Sequence, residues 1–353
     1  MKDLSFYRGK RVLLTGHTGF KGSWLSMVLA KAGAEVYGYA LGAPTNPSLF
    51  EIARLKKDIH SIEGDVRDLE SMKKAFRTAK PDIVLHLAAQ PIVRESYKNP
   101  VYTYETNVMG TVNLFECVRS SDTVRSVLNV TTDKVYLNRE WNWGYRECEE
   151  LNGFDPYSNS KSCSELVTRS FKDSFFTNED GTPRIGISTA RAGNVIGGGD
   201  FAPDRIIPDC VRAALKKQPI IVRNPFSVRP YQHVLEPLFV YLMIAKAQYE
   251  DVKYAGSYNV GPNEADCKRT GELVDLFVNF WGEGLVWKNE YDGGPHEANF
   301  LKLDCAKLKS VFGWRPQWNI EKAIEKVVEW SKVYASGGDV KKCMEEQIAA
   351  YQQ

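Results

Sequence analysis

The sequence contains no apolar run that approaches the roughly 20 residues of a membrane-spanning helix, and its amino terminus carries no apolar signal segment. It also lacks a dominant sign of charge. Lysine and arginine number 46 against 44 aspartates and glutamates, which leaves a formal net charge of +2. Because the chain has no basic field, nucleic acid is not the expected partner. We therefore expect a protein that binds neither membranes nor nucleic acid.

Cysteine is scarce and scattered. No two of the seven cysteines have the Cys-x-x-Cys spacing of zinc sites, and their odd number argues against a disulfide framework. We expect a cytoplasmic protein without a bound metal. What is present is an ordinary globular composition, 43% hydrophobic and 25% charged, over 353 residues, enough for a sizeable core. The cysteines are at positions 117, 148, 163, 210, 267, 305 and 343.

Short apolar runs alternate with longer helical patterns through the first half of the chain. This alternation predicts an α/β fold of the Rossmann type, with a doubly wound parallel sheet covered by helices on both faces. The predicted strands are 11–15, 35–41, 58–63, 82–87, 125–131 and 184–191, and the predicted helices there are 19–32, 68–79, 101–121 and 155–176.

The texture changes after Gly193, where glycines and prolines become frequent. We expect residues 1–193 to form a dinucleotide-binding domain, and residues 194–353 to form mainly a smaller α/β substrate lobe interleaved with it. Such a lobe would lie over the carboxyl ends of the strands, where open α/β sheets bind ligands. Its predicted helices are 204–216, 236–249, 269–281 and 320–334, and the stretch after residue 338 is compatible with a helix.

A glycine-rich segment directly follows the first strand and opens the first helix. Gly16 permits a tight turn, Gly19 lets the backbone approach a pyrophosphate, and Gly22 permits close helix–strand packing. The helix amino terminus then offers amide donors to phosphates. This context favours a dinucleotide site over a plain glycine-rich turn.

Two further features bear on the cofactor. Asp65 follows the third strand and suits an adenine amino group, but a helix cap there, with Asp68 as a competitor, is an equal alternative. An acidic residue for the ribose is expected about twenty residues after the first glycine. Residues 37–41 (YGYAL) contain neither that acid nor an arginine for a 2′-phosphate. The sequence leaves NAD and NADP open.

The pair Tyr157 and Lys161 has a spacing that suits redox chemistry. An Asp155-Pro156 start signal places both residues in the first turns of a helix. Tyrosine titrates near 10, so it needs nearby positive charge to accept a hydroxyl proton at neutral pH. Lys161, one helical turn on, supplies that charge. The alternative is a chance spacing on a solvated helix.

In their order along the chain these motifs resemble the extended short-chain dehydrogenase/reductase family. Within it, residues 132–134 (TDK) align with the Thr-Asp-Glu of the nucleotide-sugar 4,6-dehydratases, and longer segments are similar to its CDP-glucose-specific branch. The similarity runs from residue 9 to residue 330. The segments are 16–24 (GHTGFKGSW), 138–146 (NREWNWGYR), 191–200 (RAGNVIGGGD) and 229–233 (RPYQH).

The resemblance implies oxidation of a sugar at C4, loss of water across C5 and C6, and return of the hydride to C6. Tyr157 would take the 4-hydroxyl proton, Thr132 would orient that oxygen, and Asp133, kept protonated by burial, would protonate the leaving hydroxyl. The cofactor, NAD with NADP not excluded, is then expected to contact Gly16, Thr18, Gly19, Phe20, Gly22, Asp65, Val66, Leu87, Ala88, Ala89, Gln90, Asn107, Tyr157 and Lys161.

Lys134 stands where many of those relatives have a glutamate base. Near its usual pKa of about 10.4 a lysine is protonated and cannot act as a base. Burial beside other cations lowers the pKa of a lysine. Lys134 is therefore either the C5 base, an ammonium that stabilises the enolate, or a simple partner of Asp133.

The substrate expected from the resemblance is a nucleotide-diphosphate sugar, with CDP-glucose favoured. Arginines suit its diphosphate because they bind phosphate in a bidentate manner. A homodimer or homotetramer is implied, paired through helices 101–121 and 155–176. Trp141 and Trp143 are candidates for the pocket wall or for simple packing. The candidate substrate residues are Gln90, Arg94, Asn194, Arg205, Arg229 and His233, and for His233 the role of a satisfied core residue is an equal alternative.

Two other functions stay open. A sugar-nucleotide 4-epimerase needs Tyr157 and Lys161 but has no use for the elimination pair Asp133 and Lys134. A non-catalytic dinucleotide-binding regulator needs neither pair. The presence of all four residues favours a dehydratase, or hydro-lyase, acting on CDP-glucose or on another nucleotide hexose.

Overall fold

The computed structural model describes residues 3–291 and 301–353. A seven-stranded, fully parallel sheet forms the centre, and the predicted doubly wound α/β fold is confirmed. Its strands in chain order are β1 Arg11–Thr15, β2 Glu35–Ala40, β3 His60–Glu63, β4 Ile83–His86, β5 Ser126–Thr132, β6 Gly186–Ala192 and the strand Ser257–Val260. Across the sheet they lie in the order β3-β2-β1-β4-β5-β6, followed by Ser257–Val260.

Helices cover both faces of the sheet, which is why its strands are continuous apolar runs. In β1, Val12 and Leu14 face one core cluster while Leu13 faces the other, because side chains alternate along a strand. The helices of the described part are Phe20–Lys31, Leu49–Ile52, Leu69–Ala79, Val93–Lys98, Pro100–Tyr104, Gly110–Arg119, Pro156–Phe175, Ile206–Leu215, Leu235–Glu250, Thr270–Trp281, Ala306–Phe312, Ile320–Ala335 and Val340–Gln352.

The first core cluster gathers residues from three distant stretches of the chain. Trp24 of the first helix, Leu238 of the helix Leu235–Glu250 and Met344 of the carboxyl-terminal helix all belong to it. The helix-compatible end of the sequence is therefore part of the main core. The second cluster lies on the opposite face, where Leu114 and Phe76 join the strands.

A smaller lobe has its own core. The helices Ile206–Leu215, Thr270–Trp281 and Ile320–Ala335 pack together there through Cys210, Phe277 and Val327. Three short two-stranded ladders accompany this half of the chain, pairing Val195–Ile196 with Gln232–His233, Val228–Arg229 with Lys268–Arg269, and Ile220–Val222 with Trp287–Asn289.

The chain crosses between the two halves more than once. After residue 193 it returns to the main sheet, where Leu235–Glu250 packs against β5 and β6 and the strand Ser257–Val260 pairs with β6. The expected interleaving has this form, and the division at residue 193 stays a prediction. Across the described residues, no helix is both long and apolar enough to span a membrane.

Candidate active site

The glycine-rich loop between β1 and the first helix is shaped for close backbone approach. Gly16 has a φ of +77°, and a Cβ there would lie 2.8 Å from Ala88 N. A Cβ on Gly22 would lie 2.1 Å from Gly16 O, so only glycine fits. Gly19 caps the helix, whose first amides have no partners within it. The residues present therefore fit a dinucleotide pyrophosphate.

Side chains of the loop hold it against the sheet. Thr18 Oγ1 donates a hydrogen bond to Leu41 O at 3.1 Å, which ties the loop to the end of β2. His17 is fully buried, lies 2.8 Å from Ser61 Oγ through Nε2, and has a pKa lowered to about 4 by burial. Its neutral ring therefore packs beneath the loop. His17 therefore supports the shape of the loop and adds no charge to it.

The segment after β4 lies beside this loop. The amides of Leu87 and Ala88 donate to Thr15 Oγ1 at 3.2 and 3.1 Å, and the half-buried Ala89 follows them. Asn107 is buried in a π-helical turn at Glu105–Met109. It holds the backbone of Gln90, the residue after Ala89, by accepting from Gln90 N at 2.8 Å and donating to Gln90 O at 3.1 Å. Asn107 also donates to Ser160 Oγ at 2.9 Å, which joins this segment to the Tyr157 helix.

Asp65 does not cap the following helix. Asp68 caps it, accepting from Ser71 N at 3.0 Å, so the alternative role of Asp65 as a helix cap is excluded. The Asp65 carboxylate instead accepts from Arg67 Nη2 at 2.6 Å, and this pairing lowers its pKa against the effect of burial. Val66 is buried against Gly110. A contact of Asp65 and Val66 with adenine stays a prediction.

Tyr157 and Lys161 lie on the inner face of the helix Pro156–Phe175. Asp155 caps that helix by accepting from Ser158 N at 2.9 Å, and Pro156 occupies its first position. Lys161 is buried, donates to Val130 O at 3.1 Å, and has a pKa lowered to about 7 by burial and by the charge of Lys21. Burial raises the pKa of Tyr157 to about 12, although a hydrogen bond with Thr132 opposes the shift.

The end of β5 presents the acid of the site. Asp133 is 1% exposed, and its Oδ1 accepts from Thr132 Oγ1 at 2.9 Å. Its Oδ2 has no hydrogen-bond partner within the described residues and lies 3.2 Å from where a Cβ on Gly193 would be. Burial raises the pKa of Asp133, against the nearby charges of Lys134 and Arg229. The carboxyl group is therefore poised to hold a proton.

These groups open into a cleft of about 450 Å³ between the ends of β5 and β6 and the smaller lobe. Lys134 and Tyr157 line it, whereas Lys161 donates to the backbone of β5 and is not among the described residues of the cleft wall. Four of the predicted substrate residues also line it: Arg94, Asn194, Arg205 and Arg229.

The cleft arginines are held by acidic neighbours. Arg205 pairs with Asp200 at 3.0 Å, and Arg94 Nε lies 3.9 Å from Asp204. Arg229 is 6% exposed. Several cations thus face one cavity, an arrangement that suits an anionic ligand.

Two predicted substrate residues are not in the cleft wall. Gln90 spends its side chain on Thr103 Oγ1 at 2.9 Å and on Ile92 N at 2.6 Å. His233 is fully buried between Trp318 and Trp24, and burial lowers its pKa to about 3. The His233 side chain therefore has the role of a satisfied core residue, which was its alternative. The polar groups of the Gln90 side chain are likewise enclosed by the protein.

The tryptophan pair also lies elsewhere. Trp141 stacks on Tyr145 at 5.7 Å, with Trp143 beside it at 5.1 Å, and neither lines the cleft. A residue that the sequence reasoning missed takes a place in the wall instead. Lys21, in the first turn of the first helix, reaches the cleft beside Asp133 and Asp200. Its only signal was a lysine inside the glycine-rich loop.

Among the residues that the structure describes, no cluster of His, Cys, Asp and Glu side chains could hold a metal ion. The cysteines of the described part are all free.

The sheet order, the glycine-rich loop and the Tyr-x-x-x-Lys spacing define the extended short-chain dehydrogenase/reductase class. The family model described as GDP-mannose 4,6 dehydratase matches residues 13–327, so the chain belongs to that family. The resemblance expected from the motifs is confirmed.

Individual relatives agree with this membership. A CDP-glucose 4,6-dehydratase of Salmonella typhimurium is 49% identical over 353 residues, covering 99% of this chain and 98% of that protein. A probable dTDP-glucose 4,6-dehydratase of Sinorhizobium fredii is 27% identical over 91% of this chain and 92% of its own length.

Solved structures share the fold. The dTDP-glucose 4,6-dehydratase of Bacillus anthracis, in complex with NAD, has a TM-score of 0.75 at 20% identity and covers 93% of this chain and 98% of its own. The UDP-glucose 4-epimerase of Thermus thermophilus, also with NAD, has a TM-score of 0.79 at 24% identity over 91% of this chain and 99% of its own.

Proposed function

We propose that this protein is a hydro-lyase that converts CDP-D-glucose to CDP-4-keto-6-deoxy-D-glucose with NAD as its cofactor. The observation that carries the proposal is Asp133, a buried acid with a raised pKa, set beside Tyr157 in the same cleft. An enzyme that only oxidises and re-reduces C4 has no need of such an acid. The relative that is 49% identical is a CDP-glucose 4,6-dehydratase, which supports the choice of nucleotide.

The cofactor is held by the glycine-rich loop and the segments around it. Gly16, Thr18, Gly19, Phe20 and Gly22 bind its pyrophosphate, with amides of the first helical turn as donors. When bound, the dinucleotide would supply redox chemistry at the sugar: its oxidised form would be the hydride acceptor for C4 and its reduced form the hydride donor for C6. The adenine end meets Asp65 and Val66, and the nicotinamide end meets Leu87, Ala88, Ala89, Gln90, Asn107, Tyr157 and Lys161.

Tyr157 and Thr132 perform the first proton transfer. Tyr157 takes the proton of the sugar 4-hydroxyl, while Thr132, which hydrogen-bonds to the same phenol, orients the reacting oxygen. Positive charge close to Tyr157 opposes the effect of burial on its pKa; Arg205 supplies it in this structure, and Lys161 follows Tyr157 by one helical turn. Oxidation at C4 then acidifies the hydrogen on C5.

Asp133 and Lys134 carry out the elimination. Asp133, protonated because it is buried, gives its proton to the departing 6-hydroxyl, and the C6–O bond breaks. Lys134 lines the cleft next to it and either takes the C5 proton as a neutral amine or, as an ammonium, stabilises the enolate while another group takes that proton. C5 takes up one proton again when C6 is reduced.

The diphosphate of the substrate binds among the cleft arginines. Arg229, Arg205 and Arg94 offer guanidinium groups, and Asn194 offers an amide. These residues lie at the carboxyl ends of the strands, the usual ligand side of an open α/β sheet. Gln90 and His233 are not assigned to substrate binding, since their side chains are enclosed.

The direct test incubates the purified protein with CDP-, dTDP-, UDP- and GDP-hexoses. Mass spectrometry then follows loss of one water and identifies the bound dinucleotide in the same sample. We expect water loss from CDP-glucose and a bound NAD. A change of configuration at C4 without loss of water would replace the dehydratase with a 4-epimerase, and no turnover of any sugar would support a non-catalytic role.

We also propose a homodimer in the cytoplasm, in which the helices of residues 100–119 and 156–175 of two copies pack together. Three apolar side chains on these helices support this: Val101 is 70% exposed, Met109 50% and Leu166 52%. Exposed apolar groups on neighbouring helices are typical of protein interfaces. Residues 1–193 bind the cofactor in this assembly, and the lobe formed mainly by residues 194–353 binds the substrate.

A further inference from the structure

Lys21 is a cation of the cleft that the proposed reaction does not use. It is the second residue of the helix Phe20–Lys31, so its backbone belongs to the phosphate-binding turn. Its side chain, however, reaches into the cleft wall that also contains Asp133, Tyr157 and Arg205. Nothing about binding a pyrophosphate through backbone amides requires a lysine at this position.

The surroundings of Lys21 are mixed in charge. It interacts electrostatically with Asp133, Asp200 and Arg205, and Lys161 in turn responds to its charge. Burial, reinforced by Arg205, lowers the pKa of Lys21 to about 8. At neutral pH Lys21 therefore still carries most of its charge. From a different element of the fold, its positive charge acts on Lys161 and shares the cleft wall with Tyr157.

We propose that Lys21 is a positioning residue for the proposed reaction, whose ammonium group drives the Tyr157–Lys161 pair towards its proton-accepting form. The inference rests on the proposed function and deepens it. It gives the glycine-rich loop a second task, since the same turn that binds phosphate also supplies charge to the base.

The direction of the effect follows from counting protons. In the proposed reaction Tyr157 and Lys161 act as one unit, and the form of that unit that accepts a hydroxyl proton has lost one proton. That form carries one positive charge less, so a neighbouring ammonium favours it. Removing the charge of Lys21 must then raise the pH at which the pair becomes active.

Other charged groups face Lys161 and must be considered together with Lys21. Glu165, one turn later on the same helix, raises the pKa of Lys161, and its own charge is balanced by Arg191 at 2.8 Å. His86 at the end of β4 is buried and its pKa is lowered to about 3, so its ring is neutral throughout the working range. Of these neighbours, Lys21 is the cation that acts directly on Lys161.

The test measures C4 oxidation alone, as a function of pH. The substrate is CDP-6-deoxy-D-glucose, which has a 4-hydroxyl but no 6-hydroxyl to expel, and the readout is reduced nicotinamide in a single turnover. We expect Lys21→Met to move the midpoint of the pH profile upward by about one unit, the size of a like-charge effect at this range. Lys21→Arg keeps the charge and should keep the wild-type midpoint.

The matched control is Lys31→Met, at the other end of the same helix. Lys31 is exposed and lies 3.8 Å from Glu345, so its loss should leave the profile unchanged. If Lys21→Met does not fold, Lys21→Gln serves in its place, with thermal unfolding as the check. An unchanged midpoint in the neutral variant, or an equal shift in Lys21→Arg, overturns the proposal.

A second readout needs neither substrate nor cofactor. In protein labelled with ¹⁵N at lysine Nζ, Lys161 should titrate near neutral pH, and its resonance should vanish in Lys161→Met. Lys21→Met should raise that titration by about one unit. If the wild-type protein oxidises no CDP-sugar, the proposed function fails while this titration still decides whether Lys21 acts on Lys161.

Discussion

At the scale of single residues, Asp133 separates this site from one that only oxidises. Its carboxyl group is enclosed, with one oxygen bonded to Thr132 and the other without a partner in the described part of the chain. A buried carboxylate without a cation in direct contact costs free energy, so the group favours its protonated form. That form is the one that can protonate a leaving hydroxyl.

Substitutions at Asp133 and Lys134 should therefore separate C4 oxidation from the loss of water. We expect Asp133→Asn and Lys134→Met to keep C4 oxidation of CDP-glucose while dehydration falls by about 10²- to 10⁴-fold, the usual contribution of a general acid or base. The measurement is reduced nicotinamide, which should accumulate, together with mass spectrometry of the product. Unchanged formation of the 4-keto-6-deoxy product by either variant would remove that residue from the elimination.

The pH dependence of the two steps should have opposite sign. Elimination needs protonated Asp133, whose pKa is raised, so it is lost as pH rises through the folded-state pKa of this group. Oxidation needs the deprotonated Tyr157–Lys161 pair, so it is lost as pH falls. The pH profile of the overall rate is then bell-shaped. In Asp133→Asn the residual dehydratase activity should no longer fall at high pH.

At the scale of secondary structure, the cap of the helix Pro156–Phe175 has a functional consequence. Asp155 accepts hydrogen bonds from both Ser158 N at 2.9 Å and Ser158 Oγ at 2.5 Å, and Tyr157 lies within the turn that these bonds fix. Losing an Asp cap costs about 1 kcal/mol of stability. Here it also loosens the turn that aims the phenol.

We expect Asp155→Ala to lower kcat severalfold in addition to its effect on thermal stability. Asp339→Ala is the control, because Asp339 caps the carboxyl-terminal helix in the same way, accepting from Lys342 N at 3.0 Å, away from the cleft. The control should lose similar stability and keep its kcat. Equal kcat values in the two variants would show that the cap of the Tyr157 helix serves stability only.

The sequence predicted these elements well where a local signal exists. The Asp155-Pro156 start, β1 and the helix of residues 69–79 all lie within one residue of their predicted ends. The strand Ser257–Val260 and the helix Ala306–Phe312 were missed because they are short and take their stability from the sheet and core they join. The π-helical turn around Asn107 was also missed, since it depends on contacts with distant residues.

The same limit applies to the candidate site. Motifs with fixed spacing predicted Thr132, Asp133, Tyr157 and the glycine-rich loop, and the fold brings them together. His233 could not be assigned from its neighbours in sequence, because Trp24 and Trp318, which enclose it, come from opposite ends of the chain. Lys21 was missed because its role depends on the fold, which brings its side chain into the cleft wall, where its charge acts on Lys161.

At the scale of the whole molecule, exposed apolar residues of the helix pair predict self-association. We expect wild-type protein to elute as a dimer of the 39.9 kDa chain. Val101→Glu combined with Leu166→Glu should give monomer in size-exclusion chromatography with light scattering, since charges do not bury in an apolar interface.

Val286→Glu is the matched control for this experiment. Val286 is 54% exposed but belongs to the smaller lobe, near the ladder of Ile220–Val222 and Trp287–Asn289. That variant should stay dimeric. A monomeric wild type, or a dimer that survives both glutamates, would contradict an interface on these helices.

We expect one cleft to oxidise C4, remove water and reduce C6. The most direct measurement incubates the protein with CDP-glucose carrying deuterium at C4 and locates the label in the product by mass spectrometry and NMR. We expect loss of one water, a 4-ketone, and the deuterium in the methyl group at C6. Deuterium found again at C4 with no loss of water, or no ketone at all, would contradict this account.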